Sequence, residues 1–192
     1  MKPYALFGVA GLLALLLGGA LLWQGARQNT GPARPAGGDF VLNSAEGAVD
    51  TLALRGQVLL VYFGYTHCPD ICPASLAAGG QALNALTPDE RSRVRLLMVS
   101  VDPERDSVDH LKRYTAFFHP AMTGVTGTPA QIAKVARAYG AGYLKGPVQP
   151  DGSYAIDHTT ATYVVDRDGR LAAVLDLGTP TAQIVSTIRK YL

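Results

Sequence analysis

Residues 58 to 73 read Val58-Leu59-Leu60-Val61-Tyr62-Phe63-Gly64-Tyr65-Thr66-His67-Cys68-Pro69-Asp70-Ile71-Cys72-Pro73. The run Val58–Phe63 is continuously apolar, which suits a strand buried on both faces. Pro73 lacks an amide N–H and is tolerated only in the first turn of a helix. A helix therefore begins near Cys72 and runs to about Leu86. Cys68 and Cys72 sit at this strand-to-helix junction with three residues between them, and the chain has no other cysteine. Two thiols concentrated at one junction point to chemistry: electron exchange, metal binding, or both. A purely structural bridge fits less well. It would close a loop of five residues, worth about 2 kcal/mol of chain entropy, where a very long loop yields more than about 4 kcal/mol. Pro69, Asp70 and Pro73 also do not look like the surroundings of core cysteines.

Outward from this junction, strands and helices alternate. Phe40–Asn43 and Val49–Leu54 read as short strands joined by a turn. Arg95–Val101 is a second buried strand. Val108, Leu111, Thr115 and Phe118 follow helical spacing, so Ser107–Phe118 is an amphipathic helix. Thr128-Pro129-Ala130-Gln131 is a capping box with Pro at the first helical position, and Gly140 stops that helix. Thr160–Asp166 is a strand, Asp168-Gly169 a tight turn, and Leu171–Asp176 its partner strand. Thr179-Pro180 opens a last helix. This order predicts an α/β domain with a mixed central sheet flanked by helices. A thiol pair at a strand's carboxyl end, just before a helix, matches a thioredoxin-like fold.

Composition supports one globular domain. The 192 residues are 48% hydrophobic, with 17 basic and 15 acidic side chains. A net charge of +2 and the lack of any basic block give no case for nucleic acid. Ala5 to Trp23 carries no charge, and nineteen helical residues span ~28 Å, close to the ~30 Å of a bilayer core. Residues 1–24 are therefore expected to form a transmembrane helix. Lys2 and the free amine precede it, so the N-terminus stays cytoplasmic and the rest is exported. Arg27 and Arg34 count against that orientation. Gly18-Gly19-Ala20 could serve a signal peptidase, but the apolar run is longer than a signal peptide needs. With no cysteine nearby, a lipid-modified N-terminal cysteine is excluded. Residues 25–38 are polar and rich in Gly and Pro, as a flexible linker is, and the folded domain spans 39–192. Export puts the thiols where disulfides persist.

The position of Cys72 at or near a helix N-cap helps a thiolate form. The spacing has one residue more than the Cys-x-x-Cys of thioredoxin-type oxidoreductases. Asp70, between the cysteines, disfavours a thiolate meant for attack but suits a bound cation. Its plainer role is a helix-start residue. Soft thiolates suit Cu(I) or Zn(II), and imidazole suits both as well as Cu(II). Two cysteines alone leave such a site incomplete, so a third ligand is sought among four histidines. His110 lies on a charged helix face. His119 precedes Pro120 at a helix end, where an imidazole caps carbonyls. His67 adjoins Cys68, and neighbours in extended chain point opposite ways. His158 precedes the strand Thr160–Asp166, whose leading loop faces the thiols in the thioredoxin plan, and is the best candidate. Asp102-Pro103-Glu104-Arg105-Asp106-Ser107 joins a strand to a helix, and Asp106 or Ser107 can cap it.

The chain resembles the Sco/SenC family of membrane-anchored copper proteins needed for cytochrome c oxidase assembly. The resemblance rests on Tyr62-Phe63-Gly64-Tyr65-Thr66-His67-Cys68-Pro69-Asp70-Ile71-Cys72-Pro73. It also rests on Ser100-Val101-Asp102-Pro103-Glu104-Arg105-Asp106, on Gly124-Val125-Thr126-Gly127-Thr128-Pro129 and on Asp157-His158 before a strand. It covers residues about 40 to 190 and the N-terminal anchor; residues 141–156 carry no match. The resemblance implies a thioredoxin-like fold and copper, Cu(I) or Cu(II), bound by Cys68, Cys72 and His158. It further implies a copper metallochaperone acting at the binuclear copper site in subunit II of cytochrome c oxidase. Other copper donors or thiol reductants are the further expected partners. The soluble domain then lies in the periplasm or an equivalent exported space, anchored to the cytoplasmic membrane. The competing expectation is an enzyme, an exported thiol–disulfide oxidoreductase or a peroxidase, using Cys68 and Cys72 as a redox pair without metal.

Overall fold

The computed structural model describes residues 35–192. The expected transmembrane helix at 1–24 and most of the linker lie outside those residues. Among the described residues no helix is long and apolar enough to cross a membrane.

The chain opens with a hairpin of β1 (Val41–Ser44) and β2 (Gly47–Asp50). The second strand was expected to continue to Leu54. Instead Thr51–Leu54 is a single 3₁₀ turn, because the Asp50 carboxylate accepts the Leu52 N–H and bends the chain. Then follow β3 (Val58–Gly64), α1 (Ile71–Ala85), α2 (Pro88–Ser92) and β4 (Val94–Ser100). After these come α3 (Val108–Phe118), β5 (Met122–Val125), α4 (Pro129–Tyr139), β6 (Tyr143–Lys145) and β7 (Ile156–His158). The chain closes with β8 (Thr162–Val165), β9 (Leu171–Leu175) and α5 (Thr181–Tyr191).

Five strands form the mixed sheet that the sequence predicts, in the order β5-β4-β3-β8-β9. The β3–β4 and β4–β5 pairs are parallel, and β3–β8 and β8–β9 are antiparallel. β3 lies at the centre, and all its residues are buried. Successive side chains of a strand point to opposite faces. Tyr62 reaches Cys72 on α1, while Phe63 packs on Tyr139 of α4 with ring centroids 5.8 Å apart. Helices thus cover β3 on both faces, which is why its sequence is apolar at every position rather than at alternate ones.

Two helix starts follow their sequence signals closely. Ser107 accepts the His110 N–H ahead of α3, and Thr128 and Gln131 form the reciprocal box that opens α4. Gly140 ends α4 in the left-handed conformation, at φ 68°. Other elements were not expected. α2 opens on a capping box of Thr87 and Glu90 with Pro88 in its first turn. β5, β6 and β7 are strands of three or four residues, too short to set up a legible alternation. Residues 35–38, expected in the linker, already touch the folded unit. The Gly37 N–H donates to the Ala138 carbonyl, and the Tyr139 hydroxyl donates to the Gly38 carbonyl.

Candidate metal centre

The junction between β3 and α1 carries both thiols. Cys68 lies in the loop and is 8% exposed; Cys72 is the second residue of α1 and fully buried. Asp70 occupies the N-cap position, as its plainer reading holds, but its side chain makes no capping bond. One of the helix's unpaired N–H groups is met differently. The Cys72 N–H donates to the Cys68 Sγ at 3.5 Å. The positive end of α1 therefore faces Cys68, whereas the sequence reading gave that benefit to Cys72.

The Cys72 sulfur sits between the sheet and the helix. Burial is the main influence on its thiol and pushes it up from 9.0 to about 12, outweighing the hydrogen bond from Tyr62. The expectation of an easily formed Cys72 thiolate is thereby corrected: desolvation wins over the helix terminus. The Tyr62 hydroxyl donates to Cys72 Sγ at 3.5 Å. Burial, reinforced by Cys72, holds the Tyr62 phenol far above its ordinary range, so it stays a donor. Gly64 makes room for the sulfur. A Cβ there would lie 2.7 Å from Cys72 Sγ and 2.7 Å from the Tyr62 ring. A glycine closing an apolar strand was the available signal for this close approach.

His158 arrives from β7, which pairs with β6 in a two-stranded hairpin outside the main sheet. Its Nε2 lies 3.4 Å from Cys72 Sγ, and its Nδ1 lies 3.0 Å from the Thr159 carbonyl. With the Nδ1 proton on that carbonyl, Nε2 offers its lone pair to the thiols. Tyr62 and Tyr65 both meet the His158 ring edge to face, at centroid distances of 6.2 and 5.8 Å. The Sγ atoms of Cys68 and Cys72 and a ring nitrogen of His158, each able to ligate a metal, all lie within 4.8 Å of one another. Cys68 and His158 border an open hollow of about 290 Å³ that Asp70, Ile71 and Asp157 also line, with the Cys72 sulfur buried behind it.

The loop and the hairpin are held by residues that the sequence reading either gave a capping role, as with Asp106, or passed over. Ile156, two residues before His158, donates its N–H to the Tyr65 hydroxyl at 3.2 Å. Asp106 does not cap α3. It is fully buried and accepts from the Ser100 hydroxyl at 2.6 Å, the Thr66 N–H at 3.1 Å and the Thr66 hydroxyl at 2.5 Å. Asp102 accepts from Arg105 at 2.5 Å and from the Tyr154 hydroxyl at 2.7 Å. The Arg105 guanidinium lies 3.5 Å from the centre of the Tyr154 ring and donates to the Tyr154 carbonyl. The strand-to-helix segment 102–106 thus fastens both halves of the site.

The other histidines stay outside it. His67 turns from Cys68 toward Asp106, and its ring lies near-parallel to that of His110. His119 is buried at the end of α3, and its Nδ1 accepts the Ala121 N–H at 3.0 Å rather than capping a carbonyl. Burial lowers its pKa, with a smaller contribution from Arg91.

Two thiols and an imidazole converging beyond the carboxyl end of the central strand of a mixed α/β sheet define a domain built around a dithiol–imidazole centre. The chain belongs to the SCO1/SenC family, whose model matches residues 28–192. It is 40% identical over 157 residues to the bovine mitochondrial SCO2 homolog, covering 81% of this chain and 59% of that protein. The chain spans less than two thirds of the length of this relative and of its mouse and human counterparts. Among solved structures it is similar to Bradyrhizobium japonicum ScoI with copper bound, at 39% identity and TM-score 0.75. That match covers 81% of this chain and 99% of the other. It is also similar to BsSco, a Sco-family cytochrome c oxidase assembly protein with a disulfide switch, at 26% identity and TM-score 0.64. There the coverage is 85% of this chain and 97% of the other.

Proposed function

We propose that this chain is a copper metallochaperone. It holds copper through Cys68 Sγ, Cys72 Sγ and His158 Nε2 and hands it on during assembly of the binuclear copper site of cytochrome c oxidase, with subunit II as the acceptor. The observation that carries this reading is the convergence of those three atoms within 4.8 Å of one another, with Cys68 and His158 lining an open hollow. Two thiolates and an imidazole are a soft set suited to Cu(I), and the imidazole also suits Cu(II). The copper bound in the similar Bradyrhizobium structure supports the same cargo. A protonated Cys72 thiol in the metal-free chain means that uptake releases a proton, so the ion and the proton compete for one sulfur. Exposure on the hollow's side lets an acceptor's ligands approach while the original ligands still hold.

Residues 1–24 anchor the chain in the cytoplasmic membrane, the stretch from 25 links it, and the folded domain, which residues 35–38 already touch, works in the periplasm or an equivalent space. The apolar run Ala5–Trp23 with Lys2 ahead of it supports this arrangement. The test of the copper reading is the copper content and thiol state of wild type and His158→Ala. Tight copper binding is lost in the variant, while Cys68–Cys72 disulfide formation persists. Unchanged copper affinity would falsify the three-ligand site.

A second reading, reduction of target cysteines, is favoured by the closeness of the two sulfurs and by the disulfide switch of BsSco. The Cys68 thiolate would attack a target disulfide, and Cys72 would resolve the mixed disulfide. The target gains two electrons and a dithiol, this chain is left with a Cys68–Cys72 disulfide, and an external thiol reductant restores it. Lost oxidase activity in a deletion strain that a reductant rescues and copper does not would favour this reading.

A further inference from the structure

Tyr62 is the one hydroxyl-bearing residue of the apolar strand β3 and is only 1% exposed. A buried hydroxyl costs free energy unless it is bonded, and a phenylalanine would fill the same space without that demand. The Tyr62 hydroxyl meets the demand on a sulfur, donating to Cys72 Sγ at 3.5 Å. Gly64, two residues along the same face of β3, leaves room for this contact. A Cβ there would lie 2.7 Å from the sulfur and 2.7 Å from the Tyr62 ring. The ring also meets His158 edge to face, at a centroid distance of 6.2 Å. Tyr62 thus touches two of the three residues that bring their donor atoms together.

An O–H group aimed at a sulfur draws electron density from it. Where that sulfur ligates copper, the effect differs between the two oxidation states. Cu(II) takes more charge from a thiolate than Cu(I) does. A thiolate on Cu(I) therefore keeps more negative charge and gains more from the donor. Hydrogen bonding at a cysteine sulfur is for this reason a lever on the potential of a copper–thiolate centre. Cys72 is fully buried, so the bond acts where little solvent screens it.

We propose that Tyr62 is a positioning residue that sets the oxidation state of the bound copper: its hydroxyl bonds the Cys72 thiolate and favours Cu(I) over Cu(II). The proposal rests on copper as the cargo of the Cys68–Cys72–His158 site. The other sulfur has a donor of a different kind. Cys68 Sγ accepts the Cys72 backbone N–H at 3.5 Å, a bond that the start of α1 supplies whatever side chain stands there. The donor to Cys72 comes from a side chain, and Tyr62 supplies it where phenylalanine would not.

The test compares the wild-type chain with Tyr62→Phe, which keeps the ring and removes the donor. Circular dichroism verifies that the variant is folded. With Cu(II) bound, the sulfur-to-copper absorption band is expected at longer wavelength in Tyr62→Phe, because sulfur orbitals without the donor lie closer in energy to the metal. The preference for Cu(I) over Cu(II) is expected to fall by up to about tenfold, the scale of one hydrogen bond to a charged group. For one electron, tenfold is a reduction potential lower by about 59 mV. Replacing Tyr62 by 3-fluorotyrosine, a stronger donor, moves band and potential the opposite way. A role in packing alone does not follow donor strength. In the metal-free Cys68→Ser chain, the infrared S–H stretch of Cys72 shifts on Tyr62→Phe, a reading that needs no copper. An unmoved S–H stretch overturns the hydrogen bond itself. A wild-type band and potential that stay the same in Tyr62→Phe overturn the proposal and leave the three-ligand reading standing. A wild-type chain with no sulfur-to-copper band overturns that reading and the proposal with it.

Discussion

Cys68 and Cys72 ride on a deeply packed joint of the molecule, whereas His158 rides on a hairpin outside the main sheet. The joint joins the central strand β3, buried along its whole length, to α1. The hairpin has two three-residue strands paired only with each other, and exposes Leu144 and Val148. It is tied back through Tyr65 to Ile156, through Arg105 to Tyr154 and through Lys145 to Glu104. Local stability follows buried apolar contacts, so the histidine side is the softer of the two. A carrier that must both hold and release an ion is served by that asymmetry. On the proposed copper reading, the thiols would keep the ion through fixed geometry and the imidazole would yield it by a small local movement.

The largest expected effect comes from the rigid side. Cys72→Ser and His158→Ala both remove a proposed ligand and are expected to cost more copper affinity than the ~10–100-fold typical of an outer-shell change. Cys72→Ser costs more of the two, measured by competition with a Cu(I) chelator. If His158→Ala proves the worse, the hairpin is not the softer partner.

Gly64→Ala comes next. It drives a methyl into the Cys72 sulfur and the Tyr62 ring. Overpacking of this kind costs about 1–3 kcal/mol, read from urea denaturation of the metal-free chain, together with weaker copper binding.

Tyr65→Phe cuts the tie between the two regions. It leaves the Ile156 N–H, on a residue only 5% exposed, without its acceptor. A loss of about 1–3 kcal/mol follows if no water replaces the hydroxyl. Faster hydrogen exchange in 143–158, with no change at 58–64, is the expected pattern. Equal acceleration in both segments would show that the two regions move as one.

The last effect is on pH dependence and shows only at alkaline pH. The Cys72 thiol is raised from 9.0 to about 12 in the folded chain. Its folded state holds the proton more tightly than the unfolded state, so this contribution to stability is complete below pH 9.0 and lost as pH rises toward about 12. Urea midpoints of the metal-free chain should fall over that window, less steeply in Cys72→Ala.

Legibility in the sequence followed the same division. The apolar run of β3, the boxes at Thr128 and Gln131, and Gly140 are local signals, because a strand period or a cap is completed within a few residues. The thiol pair was legible for the same reason: both cysteines lie within five residues of one junction. β6 and β7 were not, since Tyr143–Lys145 and Ile156–His158 are too short to show a period and have only each other as partners. Asp106 looked like a cap because its role depends on Thr66, forty positions away. Cys72 looked easily ionised because the helix terminus is visible in sequence and burial is not.

By itself, the sequence determined the layered α/β architecture, the helix starts and the junction that carries both thiols, all consequences of period, caps and proline placement. Only the tertiary structure decided that the Nε2 of His158 lies 3.4 Å from a sulfur eighty-six residues earlier in the chain. It also decided that Gly64 clears the space for that sulfur, and that His67 faces His110 rather than Cys68. The physical reason is one of range. Backbone preferences act over a few residues, while ligand convergence and desolvation depend on which distant segments share a face of the sheet.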